Sequence, residues 1–132
     1  MRARSMRSLD TSAIIALVRG EPGAERVSRH LSDGLLSTVN LAEVIGGLAR
    51  RGINPDQLRA TLDDLPITLV DFDAELAHRA GALEPSTRRE RLSLGDRACL
   101  ALAERHRVPA LTADRSWAAA GARLGIAVEL IR

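Results

Sequence analysis

Short apolar runs alternate with helical segments from one end of this chain to the other, and nothing else in the sequence narrows its fold so far. The pattern predicts strands at residues 6–9, 35–37, 68–70, 108–112 and 126–131. Between them it predicts helices at 12–18, 24–31, 73–83, 93–106 and 115–124, with 84–92 as a charged loop. Another helix starts at Asn40 or just before it at Thr38 and runs to Arg50-Arg51-Gly52, where basic residues and a glycine suit a helix end. Asn54-Pro55-Asp56-Gln57 starts the next, with a cap residue, proline at the first helical position and glutamine three residues after the cap. Strands separated by helices imply parallel pairing through right-handed crossovers, hence a three-layer α/β/α domain with a short, mainly parallel sheet. Function is then expected beyond the carboxyl ends of the strands. A length of 132 residues suits one such domain over the whole chain, with 1–5 read as an extension ahead of its start.

Composition removes several chemistries. All nineteen basic residues are arginine, so enzymes that need a lysine, such as phosphate-binding Walker loops and Schiff-base catalysts, are excluded. Phe72 and Trp117 are the only aromatics, so the core is aliphatic and base stacking is a weak basis for function. The lone Cys99 allows no internal disulfide, makes a thiolate metal site unfavourable and points to a reducing cytoplasm. No stretch approaches the roughly 18 apolar residues of a membrane span. The net charge of +2 carries little information about nucleic acid, whereas the local clusters Arg88, Arg89, Arg91 and Arg50-Arg51 carry more.

The acids are the informative residues. Asp10 and Asp114 each directly follow an apolar strand, which puts both on one edge of a parallel sheet; singly, each is equally well read as a helix cap. Asp96 shares a helical face with Cys99, Leu100 and Ala103, so it interrupts an apolar stripe where an unpaired charge is costly. Glu43 lies on a stripe with Val39, Gly46, Gly47 and Arg50, and reads either as a site residue or as a capping-box partner of Asn40. Four gathered carboxylates repel one another, and their hard oxygens suit Mg²⁺ or Mn²⁺. Such an ion fits hydrolysis of a phosphodiester. His30, His78 and His106 share no metal spacing, Cys99 reads as core and Trp117 as packing. A haloacid-dehalogenase-like phosphatase would want an acid at Ser12 and a downstream lysine, and has neither.

Four segments in order resemble the motifs of PIN-domain ribonucleases, closest to VapC toxins: Leu9-Asp10-Thr11-Ser12-Ala13, Asn40-Leu41-Ala42-Glu43-Val44, Leu92-Ser93-Leu94-Gly95-Asp96-Arg97-Ala98 and Leu111-Thr112-Ala113-Asp114-Arg115-Ser116-Trp117. Glu21-Pro22-Gly23 also fits. The resemblance implies a Mg²⁺- or Mn²⁺-dependent endoribonuclease, a homodimer and inhibition by a VapB-type antitoxin. It assigns Asp10, Glu43, Asp96 and Asp114 as catalytic, metal-binding acids, with the hydroxyls of Thr11, Ser12 or Thr112 as supports. Arg88, Arg89, Arg91 and Arg115 are the basic residues nearest these acids in sequence and are expected to meet RNA; failing them, the path runs along Arg50 and Arg51. The competing reading is a catalytically silent PIN-like module that binds metal or RNA. Two departures from the family pattern stand out: Arg7 and Ser8 occupy the first strand, and no further acid lies near Trp117.

Overall fold

The computed structural model of the protein describes residues 6–132, so the reading of 1–5 as an extension lies outside the described residues. The elements run β1 (Arg7–Leu9), α1 (Thr11–Arg19), α2 (Ala24–Ser28), β2 (Gly34–Ser37), α3 (Thr38–Ala49), α4 (Pro55–Asp63), β3 (Thr68–Val70), α5 (Ala74–Ala82), α6 (Glu84–Thr87), α7 (Leu94–His106), β4 (Ala110–Thr112), α8 (Trp117–Leu124) and β5 (Val128–Leu130). The strands form one parallel sheet in the order β3-β2-β1-β4-β5. The chain winds outward from β1 to β2 and β3 on one side, then returns to β4 and β5 on the other. That reversal opens a crevice at the carboxyl ends of β1 and β4, where such sheets bind ligands.

Side chains alternate across each strand, and this alternation splits the core into two layers. Leu9, Leu36 and Leu111 face a cluster with Ile14, Val44, Leu48 and Leu58 from α1, α3 and α4. Their neighbours Leu35 and Ala110 face the opposite cluster, with Leu76, Leu100, Leu102 and Trp117 from α5, α7 and α8. The two polar residues of β1 are both provided for. The buried Ser8 hydroxyl donates to the Cys99 carbonyl of α7 at 2.9 Å, and Arg7 pairs with Glu129 of β5 at 2.7 Å.

Side-chain caps start four of the eight helices among the described residues. Asn54, Asp73 and Ser93 each accept a backbone N–H of their own first turn, as the sequence predicts. Three expectations need correction. The segment 84–92 is not all loop, because Pro85 in the first turn and the Glu84–Arg88 pair support one short helix, α6. The helix expected over 24–31 stops at Ser28, and Leu31 turns the chain into β2 by accepting the Gly34 N–H. Ser37, rather than Asn40, caps α3, accepting from the Val39 N–H at 3.2 Å.

Candidate active site

Asp10 follows β1 directly and stands at the cap position of α1, but its side chain makes no capping hydrogen bond. It is only 3% exposed. Its Oδ2 accepts from Ser12 Oγ at 2.7 Å and from Thr112 Oγ1 at 2.9 Å, while Oδ1 is buried with no partner. Ser12 Oγ in turn accepts the Ala113 N–H and Thr112 Oγ1 the Asp114 N–H, so two hydroxyls tie the end of β1 to the loop after β4. Burial pushes the Asp10 carboxyl up to about 7, against the hydrogen bond from Ser12 and with the nearby Asp96 charge adding to the rise. A carboxylate with one free buried oxygen and a raised pKa requires a proton or a cation.

Glu43 reaches the same place from α3. Its Oε1 accepts from Thr11 Oγ1 at 2.7 Å, and Thr11 Oγ1 accepts from Asn40 Nδ2 at 3.0 Å. Asn40 also donates to the Gly95 carbonyl at 3.1 Å, which knits α1, α3 and the start of α7 together. Glu43 is therefore held by Thr11 and is no capping partner of Asn40. Gly95 makes the contact possible, because a Cβ there would land on the Glu43 carboxylate.

Asp96 and Asp114 complete the group, each with a local role as well. Asp96 and Ser93 form a reciprocal capping box: Asp96 N–H donates to Ser93 Oγ at 3.2 Å and Ser93 N–H to Asp96 Oδ2 at 2.9 Å. The Asp96 pKa is raised, chiefly by burial, against the Ser93 hydrogen bonds and with the charges of Glu43 and Asp114 contributing. Asp114 is exposed, and its Oδ1 accepts both N–H and hydroxyl of Ser116, at 2.9 and 2.8 Å. All four acids border one cleft of about 730 Å³, together with Thr11 and Ser12.

Hard oxygen donors, mutual repulsion and the orphaned Asp10 Oδ1 fit a divalent cation. Among the described residues, no three acid, histidine or cysteine side chains stand close enough to hold an ion between them. The geometry gives a reason, since Ser93 and Ser116 hold Asp96 and Asp114 at their own backbones.

The arginines are placed differently from their sequence proximity. Arg50 and Arg51 border the cleft, whereas Arg88, Arg89, Arg91 and Arg115 do not. Arg88 pairs with Glu84 at 2.9 Å, and Arg115 donates to the Arg132 carbonyl at 3.3 Å. Arg88 and Arg89 follow α6, and their closeness to Asp96 along the chain does not bring them to the lining of this cleft. Sequence reasoning gave no site role to Asn40 or Gly95; an asparagine inside an apolar helical run and a glycine beside Asp96 were the available signals. Cys99 is fully buried with its thiol pushed well up by that burial, and Trp117 is enclosed in the core.

Residues 8–122 match the PIN domain family. This chain belongs to that family. In overall structure it is similar to a toxin-antitoxin complex from Klebsiella pneumoniae, at 21% identity and a TM-score of 0.71, over 94% of this chain and 96% of that one. It is similar to the DNA-bound VapBC from Salmonella typhimurium at 21% identity and TM-score 0.70, with the same coverage. Against FitAcB from Neisseria gonorrhoeae the values are 24% and 0.68, over 93% and 96%. At these identities the likeness establishes the fold. A search of curated proteins finds no match.

Proposed function

We propose that this protein is a divalent-metal-dependent endoribonuclease and the toxin of a toxin-antitoxin pair. The observation that carries the reading is Asp10: a buried carboxylate at the sheet's switch point, with one oxygen held by two hydroxyls and the other buried without a partner, in a cleft that three further acids border. Asp10, Glu43, Asp96 and Asp114 are the residues to hold Mg²⁺ or Mn²⁺. When bound, such an ion supplies a water of lowered pKa and charge stabilisation for in-line attack on a phosphodiester.

The protein's own part is positioning. Ser12 and Thr112 engage Oδ2 of Asp10 and leave Oδ1 without a partner; Thr11 fixes Glu43, and Asp96 and Asp114 are held by hydrogen bonds from Ser93 and Ser116. Hydrolysis adds water across one P–O bond and leaves a phosphomonoester on one fragment and a hydroxyl on the other. The fold's likeness to toxin-antitoxin complexes supports a VapB-type antitoxin as partner, and the resemblance to VapC toxins suggests a homodimer as the working form. An antitoxin that inserts a cation among the acids would block the site. No described helix is long and apolar enough to cross a membrane, and the lone cysteine supports cytoplasmic action.

The test is cleavage of mixed-sequence RNA with Mg²⁺ or Mn²⁺, with EDTA, and by Asp10→Asn. Internal cleavage is expected with metal and is lost in EDTA and in the variant. Undiminished cleavage in EDTA would overturn metal dependence, and a wild type that binds RNA without cutting it under any metal would leave the silent module as the better reading.

A further inference from the structure

The cleft has a basic arm as well as an acidic one. On α3, Glu43, Gly46, Gly47 and Arg50 all border it, and spacings of three and four residues place them along one helical face. The two glycines put no side chain on that face, where Gly47 is buried against Ile15 and Gly46 is half-buried. The Arg50 guanidinium turns back over them, with Nη1 3.7 Å from where a Gly46 Cβ would stand and Nη2 3.7 Å from that of Gly47. It therefore lies about one helical turn, ~5 Å, beyond Glu43.

Most arginines of the molecule have an acceptor. Arg51, beside Arg50, is drawn to Glu21 at 3.9 Å, and Arg79, Arg88, Arg105 and Arg123 each pair with a carboxylate. Among the described residues, the Arg50 side chain has no ion-pair or hydrogen-bond partner. Its place at the end of α3 suits the helix dipole. The dipole does not explain why the side chain folds back over side-chain-free helix into an acidic cleft, nor why two successive glycines, each costing about 1 kcal/mol relative to alanine, are kept there.

We propose that this arm is a phosphate subsite, in which Arg50, its guanidinium laid over the side-chain-free stretch at Gly46 and Gly47, grips the RNA phosphate next to the one being cut. The inference rests on the nuclease reading and adds to it where the substrate lies. A guanidinium presents a planar fork that binds phosphate oxygens in pairs. The need is physical: four carboxylates repel a phosphate backbone, so positive charge along the same cleft has to supply the affinity. The Arg107 side chain, at the far end of α7 from Asp96, likewise has no ion-pair or hydrogen-bond partner among the described residues and borders a different groove, which makes it a control.

The experiment measures single-turnover cleavage of a single-stranded RNA oligonucleotide in Mn²⁺, over a range of protein and salt concentrations. This separates half-saturation from maximal rate. Arg50→Gln is expected to raise half-saturation about tenfold while the maximal rate stays within about threefold. The dependence of log affinity on log salt should become shallower by about 0.7, the loss of one phosphate contact on a single strand. Arg50→Lys, which keeps the charge but loses the fork, should restore the salt slope with only part of the affinity. Arg107→Gln should match wild type throughout. Melting temperatures of all variants detect a folding defect, and if Arg50→Gln is unstable, the weakened half-saturation of Arg50→Lys carries the result. A wild-type half-saturation and slope in Arg50→Gln, or a loss confined to maximal rate, overturns the subsite while leaving the nuclease intact. Absence of cleavage by the wild type overturns the nuclease reading and the subsite with it.

Discussion

Charges around α5, α6 and α8 and charges in the cleft are treated in opposite ways. On the outer side, acids meet arginines directly: Glu84 with Arg88 at 2.9 Å, Asp73 with Arg105 at 2.9 Å and Glu90 with Arg123 at 2.6 Å. These arginines lower the pKa of each acid, chiefly through the hydrogen bond they donate. In the cleft, Asp10 and Asp96 have only hydroxyls and backbone N–H groups, and their pKa values rise with burial. Nineteen arginines were available to neutralise them. Acids that meet arginines on the outer side and acids that meet none in the cleft are the contrast that the proposed cation would resolve.

The largest expected effect breaks the comparison at Asp10. Because its folded pKa of about 7 lies above the ordinary carboxylate value, the folded state binds the proton more tightly than the unfolded state. The resulting stability is complete below about pH 4 and is lost as pH rises toward about 7, with a total on the order of a few kcal/mol. The melting temperature of metal-free wild type should fall across that window and then level off. Asp10→Asn should flatten the profile, melt higher than wild type above pH 7, gain less from added Mn²⁺ and lose cleavage by about a hundredfold or more. Equal melting profiles for the two proteins would show that Asp10 carries no such penalty.

Next in size is Gly95→Ala. The new Cβ would occupy the space of the Glu43 carboxylate, so either Glu43 leaves the cleft or α7 moves off α3, at a cost of about 1–3 kcal/mol. Cleavage should fall with Glu43 displaced, and Thr11 should lose its acceptor. A variant with wild-type stability and activity would mean that Glu43 has room to spare.

Asp96 distinguishes acids that only await a cation from acids that also hold the fold. Asp96→Ala removes one half of the Ser93 capping box, and it should lower metal-free stability by about 1 kcal/mol even as it relieves repulsion. That is the opposite sign from Asp10→Asn. A rise in melting temperature instead would show repulsion from Glu43 and Asp114 outweighing the cap.

These contrasts also separate what the sequence could convey from what it could not. Strand and helix alternation is local information, so the parallel sheet and the caps at Asn54, Asp73 and Ser93 were legible. The four acids were legible too, since each stands at a strand end or interrupts a helical pattern, and the structure brings all four to one cleft. The Asn40–Thr11–Glu43 chain was not, because it joins residues on different helices through side-chain directions that no periodicity encodes. The placement of the arginines was not legible either: Arg88, Arg89 and Arg91 are near Asp96 along the chain but do not border the cleft, and the short helix α6 before them was unforeseen. Arg50, far from every acid but Glu43 in sequence, is brought alongside by the packing of α1, α3 and α7.

The smallest effect is expected on the outer side, and it completes the comparison. Arg88 and Glu84 are 74% and 43% exposed, four residues apart on one helical turn. In water their attraction is screened, and holding two long side chains together costs conformational entropy. Arg88→Ala should therefore leave the melting temperature unchanged within error, and cleavage within about twofold of wild type, because the side chain borders neither the cleft nor the core. The same substitution tests whether this arginine meets RNA after all. A clear loss of cleavage at unchanged stability, with a shallower salt dependence, would extend the substrate path from the α3 side of the cleft to α6, and charge on the two sides of the molecule would then serve one purpose.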